Sequence, residues 1–99
     1  MSESGKDLAL EAIRLVYGDR NNDYGHPLDD FSKTATMWSA ILGVEVTAEK
    51  VALCMVAVKI SRQLNKPKLD NIVDGIGYLM TLRECETERV RRSEGASEL

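Results

Sequence analysis

Apolar residues recur every three or four positions along almost the whole chain, the spacing of one helix face. No stretch shows the period of two that marks a half-buried strand. The first helix begins after Ser4 and runs from about Lys6 to Tyr17, with Leu8, Ala12, Leu15 and Val16 on its apolar face and Gly18 as its stop. Gly18 to His26 is polar, rich in turn formers, and reads as a loop. Pro27 suits the first turn of a second helix, because its missing N–H costs nothing there. Leu28, Phe31, Ala35, Trp38 and Leu42 follow as a core-type stripe, and Gly43 ends it.

Thr47 is a good N-cap for a third helix, with Glu49 in its first turn. From Val51 to Val58 that helix is apolar nearly all round, so it is expected at the centre, covered on several sides. A buried strand competes for this run alone, but Lys59, Ile60 and Leu64 continue it at helical spacing. The fourth helix carries Leu69, Ile72, Val73, Ile76, Leu79, Met80 and Leu82. Its Gly75 and Gly77 would permit close approach of a neighbouring backbone, for which another subunit is one candidate. The short connection Asn65-Lys66-Pro67-Lys68 makes the third and fourth helices antiparallel neighbours. The expectation is an all-α, antiparallel bundle of four main helices in one domain, residues 1–85. The charged tail, 86–99, should extend the last helix briefly and then fray.

A chain of 99 residues builds a thin core, which makes a homodimer or higher homo-oligomer a natural remedy. Its 43% hydrophobic and 29% charged residues are those of a soluble globular protein. The net charge of −3 argues against general nucleic-acid binding, which needs clustered, uncompensated Lys and Arg. Two cysteines, Cys54 and Cys85, read as reduced thiols. The N-terminus lacks the features of a signal peptide, and the longest apolar run is too short to span a bilayer, so a cytoplasmic location with no membrane contact is expected.

The chemistry gathers on two helix faces. Lys59, Arg62 and Lys66 make a basic stripe on the third helix, and Asp70, Asp74 and Tyr78 make its counterpart on the fourth. Asp74, between Val73 and Gly75 in an apolar helix, needs a partner. Pairing with Lys59 or Arg62 is favoured over a metal, because buried charges usually pair. Asp70 can serve as a helix N-cap or as a metal ligand. Asp29 and Asp30 suit the first turn of the second helix through its dipole. They could also face Asp70 and Asp74 across the bundle, as carboxylates from different helices do in divalent-metal sites. In the loop, Tyr24 is a candidate to stack on a ligand, with Asn22 or Asp23 contacting a base or sugar. His26, the lone histidine, reads as a turn residue, and Trp38, Met37 and Met55 read as packing.

Asp23-Tyr24-Gly25 before a helix, Lys59-x-x-Arg62, and Asp70-x-x-x-Asp74-x-x-x-Tyr78 form an ordered set from about Tyr17 to Leu82. That set resembles small phage and bacterial domains associated with nucleotide modification, which are similar to the all-α NTP pyrophosphatase, or MazG-like, superfamily. The resemblance implies an oligomeric helical bundle that hydrolyses nucleoside triphosphates to monophosphate and pyrophosphate with Mg²⁺. It implies Asp29, Asp30, Asp70 and Asp74 as metal ligands, with Lys33 standing where the E-E-x-x-E helix of that superfamily carries its third acid. Lys59 and Arg62 would steady phosphates as the catalytic cations, and Asn22, Asp23, Tyr24 and Tyr78 would bind substrate. The other reading is a non-catalytic helical oligomer that binds a nucleotide or a host protein.

Overall fold

A computed structural model describes residues 3–97, and every regular element among them is helical. Helix α1 spans Gly5–Arg14 and opens with a capping box. The Ser4 hydroxyl accepts from the Asp7 N–H at 3.2 Å, and the Asp7 carboxylate accepts from the Ser4 N–H at 3.1 Å, so two otherwise orphaned donors are satisfied.

The expected loop after Gly18 is not a loop. The chain widens into a π-helical stretch, Leu15–Arg20, and continues as α2, Asn21–Tyr24, before Gly25 breaks it with a positive φ of 76°. Asn, Asp and Gly are only weak helix breakers, and no proline intervenes before Pro27. The Arg14 guanidinium spans the widened turn, bonding Glu11 at 2.7 Å and Asp19 at 3.0 Å.

Helix α3, Pro27–Leu42, starts with His26 as its N-cap, whose Nδ1 accepts from the Leu28 N–H at 3.0 Å, and stops at the left-handed Gly43. The Ser39 hydroxyl fixes the turn that follows by accepting from the Val46 N–H at 2.8 Å. Helix α4, Ala48–Asn65, is capped by Thr47, and α5 runs 29 residues, Leu69–Ser97. At the sharp α4–α5 turn, the Gln63 side-chain carbonyl accepts from the Lys68 N–H and from Asn71 Nδ2.

The long α5 packs along α4, with α3 against both and α1 against the first half of α5. One core cluster joins Leu28, Phe31, Ala35, Ala48, Val51, Ala52 and Cys85; a second joins Leu8, Ala12 and Val73. Burial pushes the Cys85 thiol up to about 11, so it stays protonated and inert, and both cysteines are free.

Three further expectations change. First, α4 is covered on one side only. Ala48, Val51 and Ala52 are buried, yet Leu53, Ile60 (58% exposed) and Leu64 (84% exposed) stand in solvent. Second, the helical glycines meet this same chain. A Cβ on Gly77 would lie 3.3 Å from Val16 Cγ2, and one on Gly75 would lie 4.0 Å from Lys59 Cβ. Third, the charged tail remains helical to Ser97, and 98–99 lie outside the described residues. Arg89 grips Glu49 with bonds of 2.7 and 2.8 Å, and Arg92 grips Asp29 with bonds of 2.7 and 3.0 Å. These bidentate pairs tie the tail to α4 and α3.

Candidate functional site

The α4–α5 turn brings the two charged stripes face to face. Lys59 Nζ lies 2.9 Å from Asp74 Oδ2, with the Lys59 side chain 13% exposed and that of Asp74 39% exposed. Pairing, the expected partner chemistry for Asp74, is what the structure places there. Lys59, Arg62, Lys66 and Lys68 together with Asp70, Asn71 and Asp74 line an open groove of about 440 Å³. Among the described residues, Arg62, Lys66 and Lys68 enter no ion pair, so positive charge outweighs negative along the groove. Such a surface attracts anions, phosphates above all.

The groove does not end at Asp74. That residue also borders a cavity of about 190 Å³ between α1, the π-helical stretch and α5, shared with Arg20, Tyr78 and Thr81. Arg20 and Tyr78 in turn line a hollow of about 320 Å³ with Tyr24, Asp30, Trp38 and Met55. The Arg20 guanidinium lies over the Tyr24 ring, 5.7 Å from its centroid. Tyr78 packs against Phe31, which lines the same hollow, the ring centroids 6.2 Å apart and tilted by 56°. Met55 and Lys59 on α4, and Tyr78 and Asp74 on α5, are each one helical turn apart, a rise of about 6 Å. A polar, cationic trough thus leads within one turn into an aromatic-walled hollow.

The four candidate metal ligands do not converge. Asp29 is bound by Arg92, whose hydrogen bonds hold its carboxyl below the usual range. Asp30, its neighbour on α3, lines the aromatic hollow. Asp70 and Asp74 remain together in the cationic groove. Among the described residues, no three of His, Cys, Asp and Glu group closely enough to share a metal ion. The reason lies in the tail, whose Arg92 claims Asp29, and in the 100° step between adjacent helix positions, which turns Asp29 and Asp30 in different directions.

Of the other expected site residues, Lys59, Arg62, Tyr24 and Tyr78 fall in this continuous system. Asn22 and Asp23 lie on the exposed surface of α2 and line none of these three hollows. The residues that pattern reading missed are Arg20, Thr34, Trp38 and Met55. For Arg20 a signal existed: it stands four residues before Tyr24, the spacing that stacks two side chains once the segment is helical. Trp38 and Met55 occupy core-type positions, and only the half-open packing of α3 on α4 makes them walls.

Comparison with known proteins adds kinship. The chain is 42% identical over 78 residues to "Gene 55 protein" of Mycobacterium phage D29, an alignment covering 79% of this chain and 43% of that protein. It is 36% identical over 77 residues to "Gene 55 protein" of Mycobacterium phage L5, covering 76% of this chain and 49% of that one. The aligned part thus spans about half the length of these phage relatives, or less. No helix among the described residues is long and apolar enough to cross a membrane. No solved structure matches. The family described as "Domain of unknown function (DUF6378)" matches residues 8–86, taking in most of α1, all of α2 to α4, both stripes and the aromatic hollow, and it is to this family that the chain belongs.

Proposed function

We propose that this domain binds a nucleoside phosphate along the α4–α5 seam, phosphates over Lys59, Arg62, Lys66 and Lys68 and the base in the hollow of Tyr24, Trp38 and Tyr78. The observation that supports it is the one-turn register between the cationic groove and the aromatic hollow, through the shared residues Asp74 and Tyr78. Arginine and lysine heads bond phosphate oxygens with charge assistance, and bases stack on aromatic faces. Equilibrium titration with deoxynucleoside triphosphates tests this. Lys59→Ala with Arg62→Ala should weaken binding by at least about tenfold, the loss of one charge-assisted hydrogen bond or more. Binding unaltered in that double variant contradicts the reading.

Hydrolysis is the second reading, favoured by Asp70 and Asp74, one turn apart in the same groove as the cations. Mg²⁺ is commonly held by one or two carboxylates together with substrate phosphates, so this pair fits the ion without a four-acid cage. Asp70 and Asp74 would hold the ion, which would supply Lewis-acid polarisation of the α-phosphate. Water would form the new bond to the α-phosphorus as the bond to pyrophosphate breaks, and Lys59 and Arg62 would offset the charge on that leaving group. Metal-dependent pyrophosphate release, lost in folded Asp70→Asn, supports it. Tight binding with every nucleotide left intact assigns the domain to the non-catalytic reading.

The expected homo-oligomer has a surface available. Leu53, Ala57, Ile60 and Leu64 lie exposed along α4 at spacings of four, three and four. That is the spacing of a helix–helix seam, it contains no charge, and it is complementary to itself when two copies pair about a two-fold axis. A second copy of this chain is therefore its occupant in this reading.

A further inference from the structure

We infer that Asp30 reads the base, and that the base is guanine. The inference rests on the nucleoside-phosphate reading of the seam and adds to it a specificity that the groove alone does not carry. Asp29 and Asp30 are adjacent in α3 but meet different fates. Asp29 is clamped by Arg92, whereas Asp30 is half-buried and borders the aromatic hollow and the small crevice next to it. Among the described residues, the Asp30 carboxylate makes no ion pair or side-chain hydrogen bond.

A carboxylate in such a wall only accepts hydrogen bonds, through two oxygens side by side. Its complement is a pair of adjacent N–H donors. Guanine offers that pair on its Watson–Crick edge, N1–H beside the N2 amine. Adenine sets an acceptor nitrogen beside its amine, cytosine does the same, and thymine flanks its one N–H with two carbonyls. Each of these sets an acceptor against one carboxylate oxygen, which is repulsive. The adjoining edge of guanine carries the O6 and N7 acceptors, the pair that arginine recognises best. Arg20 lines the same hollow and supplies such donors. The hollow, of about 320 Å³ and faced by Tyr24, Trp38, Met55 and Tyr78, gives the ring its stacking surface.

The test is titration of the full chain with dGTP, dATP, dCTP, dTTP, dITP and a xanthine nucleoside triphosphate. Trp38 fluorescence is the readout, since it is the only tryptophan. The wild type should bind dGTP about tenfold or more tighter than dATP, dCTP or dTTP, the range of one bidentate contact. It should also bind dGTP more tightly than dITP, which lacks only the N2 amine and so isolates the second hydrogen bond without altering the protein. Asp30→Asn should lose the preference for dGTP and bind the xanthine nucleotide best, because the amide offers one donor and one acceptor to xanthine's O2 and N1–H. A gain of binding of that kind does not arise from misfolding. Equal affinity for dGTP and dITP, or nucleotide binding without base preference, overturns the role of Asp30 and leaves the phosphate groove standing. Failure of every nucleoside triphosphate to bind overturns the groove as well.

Discussion

Lys59 stands where two demands meet, since its ammonium neutralises Asp74 and also faces the groove that attracts anions. Asp74→Asn removes the ion pair, and with the carboxylate more than a third exposed the stability cost stays below about 1 kcal/mol. The freed ammonium should then bind phosphate more tightly without metal, and Mg²⁺ should lose part of its effect; calorimetric titration with and without the ion reads both. Gly75 and Gly77 of α5 separate in the same way. Gly75→Ala places its methyl at ordinary contact distance from Lys59 and gains about 0.5–1 kcal/mol of helix propensity. Gly77→Ala presses on buried Val16 at 3.3 Å, so overpacking offsets the gain. Urea unfolding should place Gly77→Ala below Gly75→Ala by about 1 kcal/mol or more.

Among the elements, α5 holds the most consequential difference from pattern reading. Leu69 to Leu82 was legible because apolar residues repeat at helical spacing, and so was the antiparallel turn before it. The tail was legible only as an extension that frays, because its alternating charges identify no partner until folding sets Glu49 and Asp29 beside Arg89 and Arg92. The same long-range pairing hid the fate of Asp29, while Lys59 with Asp74 was readable because the short turn between α4 and α5 forces those stripes together. Glu88 lies at the centre of the tail's network, and hydrogen bonds from Arg91 and then Arg92 lower its carboxyl from 4.5 to about 2. Arg92 likewise lowers Asp29, and Arg89 lowers Glu49. Carboxyls lowered on folding contribute stability above their unfolded values and lose it as they protonate. Thermal stability should therefore hold from neutral pH to about 4.5 and fall from there toward about 2. Arg92→Ala should lower stability at pH 7 and flatten that acid-side fall, as circular dichroism melts would show.

As a whole, the molecule is a slab of 54 × 30 × 20 Å. The slab is shallow enough that, among the described residues, nothing covers the apolar outer face of α4, although its sequence reads as a helix covered on several sides. Sedimentation should find a dimer, and Ile60→Glu with Leu64→Glu should give a folded monomer. A monomeric wild type at high micromolar concentration contradicts that surface. The proposed nucleotide site depends on the same slab, because packing of α3, α4 and α5 sets an aromatic hollow one turn from a cationic trough. Trp38 reports on that hollow directly. Titrating the chain with dGTP should quench its fluorescence saturably, and Lys59→Ala with Arg62→Ala should shift the curve to at least about tenfold higher concentration. Fluorescence that does not respond, or a curve that the double substitution leaves in place, contradicts a nucleotide lying along this seam.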